Sequence, residues 1–168
     1  MLFRSQYMKS HNYEFSINLD YEDLSNTTLK SIILEHLKQF KSPQKIIFEI
    51  VESEFIDDFR IVEDFAKEIR TYGARIAIDD FGSGFSSMEN ILRLKPEIIK
   101  IDGTLIKNLN TSDDSKTIVK NIISMTKDLG ASSVAEYVHN KEICDICIAM
   151  GVDFLQGFYL AEPSQDIN

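Results

Sequence analysis

Residues 76–87 of the chain read Ile76-Ala77-Ile78-Asp79-Asp80-Phe81-Gly82-Ser83-Gly84-Phe85-Ser86-Ser87. A short apolar run leads into two adjacent carboxylates and then into a segment with two glycines, which predicts a buried strand followed by a loop. Adjacent carboxylates repel each other unless a cation lies between them, so this pair at a strand end indicates a divalent metal. The alternative is a solvated turn, because Asp and Gly both favour turns.

The rest of the chain alternates between predicted strands and predicted helices. Further strands are predicted at residues 15–19, 45–51, 98–102, 133–138 and 154–160. Helices are predicted at residues 27–40, 58–72, 86–94, 114–129 and 140–150. Six mostly apolar strands that alternate with five helices predict an α/β fold with a parallel sheet and right-handed crossovers.

Composition and charge narrow the function classes. The 168 residues are 43% hydrophobic and 27% charged, which is typical of one globular domain. No apolar run approaches the roughly 18 residues of a membrane span, and the first residues do not resemble a secretory signal, so we expect a cytoplasmic domain without membrane insertion. The net charge of −9 disfavours binding to a nucleic acid polymer, and a phosphate ligand would need metal ions.

Cys144 and Cys147 form a lone C-x-x-C in a helical pattern, which favours buried packing over zinc or redox chemistry.

Each predicted strand carries one polar residue among apolar neighbours. These six residues are Asn18, Glu49, Asp79, Lys100, Glu136 and Gln156. Because the carboxyl ends of parallel strands meet at one rim, we expect the six side chains to converge there. The carboxylates, together with Asp80 and the amide of Asn18, suit Mg²⁺ or Mn²⁺ better than zinc. A metal pair held there would activate water and neutralise a phosphodiester.

Other interpretations of the same residues remain open. Asn18 and the Gln156-Gly157 pair could be turn formers, and Glu49 and Glu136 could face water at a sheet edge. Lys100 could pair with Asp102 or extend along the wall of the sheet. Lys100 could also be the Schiff-base nucleophile of a barrel lyase, although acidic surroundings would keep its amine protonated.

The polar residues lie in segments that resemble the motifs of the EAL family, bacterial cyclic di-GMP phosphodiesterases built on a (β/α)₈-like barrel. The most specific match is residues 77–87, which are similar to the family's A-I-D-D-F-G-T-G-Y-S-S. Residues 16–19 resemble S-V-N-L, residues 48–53 resemble L-E-[IL]-T-E-S, and residues 99–102 resemble L-K-I-D. Residues 134–136 resemble the start of V-A-E-G-V-E, and residues 156–158 resemble Q-G-Y.

The resemblance implies a role for each matching residue in the hydrolysis of cyclic di-GMP to linear pGpG. Asn18, Glu49 and Asp79 would bind one Mg²⁺ or Mn²⁺ ion, and Asp79 and Asp80 would bind a second. Lys100 would contact the attacking water, and Glu136 and Gln156 would complete the metal and water shell. Glu52 would brace a mobile loop near a dimer contact. The other members of that loop are Phe81, Gly82, Ser83, Gly84, Phe85 and Ser86.

The chain also departs from the family pattern. Nothing before Asn18 resembles the E-A-L strand, and Tyr137 and His139 stand where the family has glycine and glutamate. Losing metal-binding carboxylates weakens a binuclear site, so we expect impaired hydrolysis, and the alternative is an inactive EAL module that binds cyclic di-GMP or a protein partner.

The predicted architecture is an incomplete TIM-like barrel, because a (β/α)₈ domain typically needs about 250 residues. We therefore expect an irregular segment at residues 1–14, a partial EAL domain at 15–163 and a loose tail at 164–168. The first and last strands should not be joined by hydrogen bonds. The gap between them should be open, covered by residues 1–14, or filled by another chain such as the second copy in a homodimer.

Overall fold

The computed structural model describes residues 14–51, 59–84 and 88–162. Their strands are β1 (Phe15–Leu19), β2 (Ile46–Val51), β3 (Arg75–Phe81), β4 (Ile98–Ile101), β5 (Ser132–Ala135) and β6 (Phe154–Leu155). Their α-helices are α1 (Tyr21–Ser25), α2 (Thr27–Gln39), α3 (Phe59–Arg70), α4 (Met88–Leu94), α5 (Gly103–Ile106), α6 (Asp113–Asp128) and α7 (Lys141–Met150). A single 3₁₀ turn at Pro43–Lys45 precedes β2 in this part of the chain.

The six strands form one parallel sheet in the order β1-β2-β3-β4-β5-β6. Each strand pairs with the next strand along the chain, as expected when a helix carries the chain back between parallel strands. Within the described residues β1 and β6 are the two edges of the sheet, and no ladder joins them. The predicted α/β fold with six parallel strands and an unjoined first and last strand is therefore confirmed for this part of the chain.

The two faces of the sheet are covered differently. On the helix-covered face, strand residues such as Phe48, Ile50, Ile76 and Ile99 join the large core. That core includes the inward faces of α3, α6 and α7. The other face carries a small separate apolar cluster of Ile47, Ala77 and Ile98, with Val134 packed against it. Because side chains alternate along a strand, the polar residues that follow this small cluster at two-residue spacing share its face.

The helix boundaries follow local capping signals. The side chain of Asn26 accepts hydrogen bonds from the backbone N–H groups of Thr28 and Leu29 and so caps α2. Gly151 ends α7 in the left-handed conformation, as its position after the last helical residue predicts.

The prediction of five helices was wrong by two in the described residues. Helices α1 and α5 were missed because each is too short to show a helical period, and capping by Asp20 and Asp102 marks them instead. The last two strands are also shorter than the predicted 133–138 and 154–160. Within the described residues, no helix is long and apolar enough to cross a bilayer.

Candidate functional site

The site lies on the face of the sheet that carries the small apolar cluster. Glu49, Asp79 and Lys100 each follow a member of that cluster by two residues, on β2, β3 and β4. Glu136 follows Val134 in the same way, directly after β5, and its backbone N–H donates to the Ile101 carbonyl at 3.3 Å. The strand period of two therefore places four charged side chains side by side above an apolar floor, as the sequence predicts.

Lys100 lies at the centre of this group. Its Nζ is 2.9 Å from Glu49 Oε2, 2.8 Å from Asp79 Oδ1 and 2.9 Å from Glu136 Oε1. The Lys100 side chain is 6% exposed, and those of its three partners are 11–16% exposed. One ammonium group with three donors thus satisfies three largely buried carboxylates, which a buried charge requires.

Asp79 and Asp80 reach the same site even though they are neighbours in a strand. The register between β3 and β4 shifts between Ile78 and Phe81, and Asp80 has a φ of 55°. A bulge of this kind bends the strand and re-aims a side chain that would otherwise point to the opposite face. As a result, one carboxylate oxygen from each of Asp79, Asp80 and Glu136 lies within 4.8 Å of the other two.

The electrostatics of the site follow from burial and crowding. Burial raises the pKa of Glu136 to about 7, and the nearby Asp79 and Asp80 charges act in the same direction against the opposing effect of Lys100. Burial raises the pKa of Asp80 as well, with contributions from the Asp79 and Asp102 charges. Uncompensated negative charge therefore remains around the single amine.

Burial alone would lower the pKa of Lys100, but hydrogen bonds to Asp79, Glu136 and Glu49 outweigh it and raise that pKa. The amine is consequently protonated near neutral pH. A Schiff-base nucleophile needs a neutral amine, so this environment argues against the lyase interpretation.

The donor set fits a divalent cation. Four carboxylates, from Glu49, Asp79, Asp80 and Glu136, face one ammonium group, and all the available ligand atoms are hard oxygens. Mg²⁺ and Mn²⁺ prefer such oxygen ligands, whereas the two cysteines of the chain are buried in α7.

Asn18 and Gln156 lie at the two edges of the described sheet. Asn18 is exposed and is the register partner of Glu49, so it shares the face of the site. Gln156 is exposed directly after β6, and its backbone N–H donates to the Ala135 carbonyl at 2.8 Å. The Gln156-Gly157 pair therefore extends the link between β5 and the last strand.

The Asp102 side chain does not pair with Lys100, which was one of the alternatives that the sequence left open. Its Oδ1 accepts a hydrogen bond from the Thr104 backbone N–H at 2.7 Å, and it caps α5 rather than pairing with Lys100. Its charge also contributes to the raised pKa of Asp80. The Asp102-Gly103-Thr104 sequence carries the capping signal that could have identified this role.

The loop that follows β3 begins later in the chain than the sequence predicts. Asp80 and Phe81 belong to β3, and Phe81 is 1% exposed in the main core, so its assignment as a loop residue was wrong. The chain leaves the strand at Gly82, and Ser83 and Gly84 follow on the surface. Glu52, Phe85 and Ser86 lie outside the described residues.

Solved structures with a similar fold include two complexes with the cyclic dinucleotide. The PaMucR phosphodiesterase in its c-di-GMP complex has a TM-score of 0.86 and 26% sequence identity, over 95% of this chain and 66% of that one. Klebsiella pneumoniae BlrP1 in a manganese and cyclic di-GMP complex has a TM-score of 0.83 and 28% identity, over 92% of this chain and 40% of that one.

The chain is similar in sequence to curated proteins that are much longer. Cyclic di-GMP phosphodiesterase PdeA of Borreliella burgdorferi is 32% identical over 162 residues, which cover 96% of this chain and 24% of that protein. This chain therefore spans about a quarter of the length of that relative. The profile of the EAL domain matches residues 2–163, and the chain belongs to the EAL domain family.

Proposed function

We propose that this chain is a metal-dependent phosphodiesterase domain that hydrolyses one phosphodiester bond of cyclic di-GMP to give linear pGpG. The observation that carries the proposal is the convergence of Glu49, Asp79, Asp80 and Glu136 around Lys100 at one rim of a parallel sheet. The substrate follows from relatives and structures whose names include cyclic di-GMP phosphodiesterase and c-di-GMP complex. The strongly acidic surroundings repel a phosphate unless cations neutralise them.

Asn18, Glu49, Asp79 and Asp80 are the residues that would hold two Mg²⁺ or Mn²⁺ ions. Bound cations would neutralise the phosphodiester and supply an activated water at neutral pH. Lys100 holds a proton on Nζ and would orient the attacking water or the phosphate oxygens. Glu136 would accept a proton at its carboxylate, which its raised pKa suits to near-neutral pH. Gln156 would complete the shell through its side-chain amide.

The segment from Gly82 to Ser86, braced by Glu52, would form a loop beside a dimer contact. We propose a homodimer, or a second chain that covers the edges at β1 and β6, because sheet edges that no described strand pairs with favour association. We also propose that the domain acts in the cytoplasm as part of bacterial signalling. Sedimentation velocity at several concentrations would test the association directly.

We further propose that turnover is reduced relative to the longer relatives. His139 stands where the family has a glutamate, and the loss of a metal-binding carboxylate weakens a binuclear site. This loss favours a second candidate function, an EAL module that binds cyclic di-GMP or a protein partner without hydrolysing it.

The purified chain incubated with cyclic di-GMP and Mn²⁺ or Mg²⁺ tests both functions. Formation of pGpG that is abolished by Asp79→Ala supports the phosphodiesterase, with Asp128→Ala as a control at an exposed position in the last turn of α6. Binding of the dinucleotide without pGpG supports the module. If the chain neither binds nor cleaves the dinucleotide, both proposals are wrong.

A further inference from the structure

An aromatic side chain stands beside the acidic cluster without a role in the mechanism above. Tyr137 follows Glu136 directly, and 59% of its surface is exposed. The Cα atoms of Tyr137 and Glu136 are about 3.8 Å apart, and the Glu136 carboxylate contacts Lys100. An exposed large aromatic residue next to a cluster of charged side chains offers an apolar face that a bound ligand can contact.

The backbone holds Tyr137 in an unusual conformation. Its φ is 57°, in the left-handed region that aromatic residues rarely adopt. On one side it abuts Gly103, where an added Cβ would lie 2.7 Å from Tyr137 Cβ and 3.4 Å from its Cγ. Gly103 is the first residue of α5 and directly follows Asp102, whose charge acts on Asp80, so Tyr137 is packed against the start of α5 beside the same cluster. Strained residues held by their surroundings concentrate at ligand sites.

A second ring accompanies the first. The ring centroids of Tyr137 and His139 are 5.4 Å apart with an interplanar angle of 46°, and His139 Nδ1 lies 3.2 Å from the Tyr137 carbonyl oxygen. His139 is also exposed. The next residue inward, Val138, is fully buried and its backbone is hydrogen-bonded to Gln156 and Tyr159. Two exposed rings are thus anchored on either side of a buried, hydrogen-bonded residue.

We propose that Tyr137 stacks on a guanine base of the bound dinucleotide and that His139 supports the Tyr137 ring in this position. The inference rests on the proposed function, because the phosphodiester must lie at the acidic cluster for a base to reach the ring. A purine offers a flat π-face to an aromatic side chain, and such stacking requires no specific hydrogen-bond partner. Tyr137 is accordingly a residue that binds and orients substrate, and it does not move protons.

The test is a titration of cyclic di-GMP in the presence of Ca²⁺, with chromatography of the recovered ligand to establish that it stays intact. Wild type is compared with Tyr137→Phe, Tyr137→Leu, Tyr137→Gly and His139→Ala. We expect Tyr137→Phe to bind within about twofold of wild type, because the ring remains. Tyr137→Gly and Tyr137→Leu should bind about 5- to 140-fold more weakly, the range for loss of one base–aromatic stack. His139→Ala should have a smaller effect in the same direction.

A second readout reports the stacking itself. The guanine H8 proton should shift upfield in the NMR spectrum when the ligand binds wild type or Tyr137→Phe, and this shift should be lost in Tyr137→Gly. Tyr137→Gly should melt at the same temperature as wild type or higher, because glycine adopts a φ of 57° without strain.

The results of these titrations distinguish failure of the stacking proposal from failure of the proposed phosphodiesterase function. Wild type that binds the dinucleotide with no difference from Tyr137→Gly overturns the stacking proposal and leaves the phosphodiesterase proposal intact. Tighter binding by Tyr137→Gly also overturns it, since the ring would then only obstruct the site. If wild type does not bind cyclic di-GMP, the proposed function and the stacking proposal both fail.

Discussion

Lys100 Nζ lies 2.8 Å from Asp79 Oδ1, across the neighbouring strands β4 and β3. Both side chains are largely buried, so neither charge is compensated by bulk water. The same ammonium group also contacts Glu49 and Glu136. Lys100 is therefore the cation that holds a crowded acidic cluster together, and its removal should have a large effect that metal ions can partly reverse.

The substitution Lys100→Met tests this role. It preserves much of the side-chain volume but leaves three buried carboxylates without their donor. In EDTA we expect the free energy of unfolding to fall by about 3–5 kcal/mol, the usual effect of removing one partner of a buried ion pair. Added Mn²⁺ should raise the melting temperature of Lys100→Met more than that of wild type, as measured by thermal denaturation.

Lys116→Met is the matched control. Lys116 forms a single ion pair with Asp113 at 2.9 Å, but the two side chains are 43% and 97% exposed. Its loss should change stability by about 0–1 kcal/mol, with no added response to Mn²⁺. Equal destabilisation by the two variants would contradict the role assigned to Lys100.

The link between β5 and the last strand depends on a close backbone approach at Gly157. Its φ is 157°, and an added Cβ would lie 2.2 Å from the Val138 carbonyl oxygen and 2.4 Å from the Val138 nitrogen. We expect Gly157→Ala to destabilise the protein by about 3 kcal/mol or more in urea denaturation, because backbone atoms must move to accommodate the methyl group.

Gly130→Ala separates steric conflict from backbone conformation alone. Gly130 has a φ of 72°, and nothing lies within 4 Å of its added Cβ. Its replacement should cost only about 1–2 kcal/mol, the penalty for a left-handed alanine. A smaller effect at Gly157 than at Gly130 would show that the approach to Val138 does not stabilise the fold.

Asp153 should make stability depend on acid pH. Hydrogen bonds from the Ser133 backbone N–H and hydroxyl, both at 2.8 Å to Asp153 Oδ2, lower the pKa of this carboxyl. A carboxyl with a lower pKa in the folded state stabilises the fold above its unfolded pKa of about 3.9, and this contribution is lost as the pH falls through the folded pKa. Urea denaturation should therefore show that Asp153→Asn is less stable than wild type at pH 6 and that the difference shrinks below pH 4.

Ser133→Ala should weaken this pH dependence, because it removes the hydroxyl donor and keeps the backbone donor. Stability curves of wild type and Asp153→Asn that run parallel from pH 6 to pH 3 would contradict the assignment.

Much of this architecture follows from the pattern of apolar and polar residues within short segments of the sequence. The apolar strands predict the parallel sheet, and the two-residue period places Glu49, Asp79, Lys100 and Glu136 on one face. The order of the strands follows from the crossover rule. These features depend on hydrophobic periodicity and on the order of the strands along the chain, and both can be read from the amino-acid sequence.

Other features depend on contacts between distant segments. The strand bulge that turns Asp80 toward Asp79 is a register shift against β4, and no residue of β3 alone reveals it. Lys100 likewise pairs with three carboxylates and not with Asp102, the alternative partner in the sequence, because capping of α5 satisfies Asp102 locally. The family resemblance implies that Phe81 is a loop residue, but its pairing with Ile101 of β4 keeps it in β3.

Isothermal titration of Mn²⁺ into the metal-free chain tests whether the acids around Lys100 form a divalent cation site. We expect saturable binding to wild type and affinity at least about tenfold weaker in Asp79→Asn, which keeps the shape but removes a charged ligand. Asp128→Asn is the control and should bind as wild type does. Saturable binding to wild type that Asp79→Asn leaves unchanged, or no binding to wild type at all, would show that these acids do not form a divalent cation site.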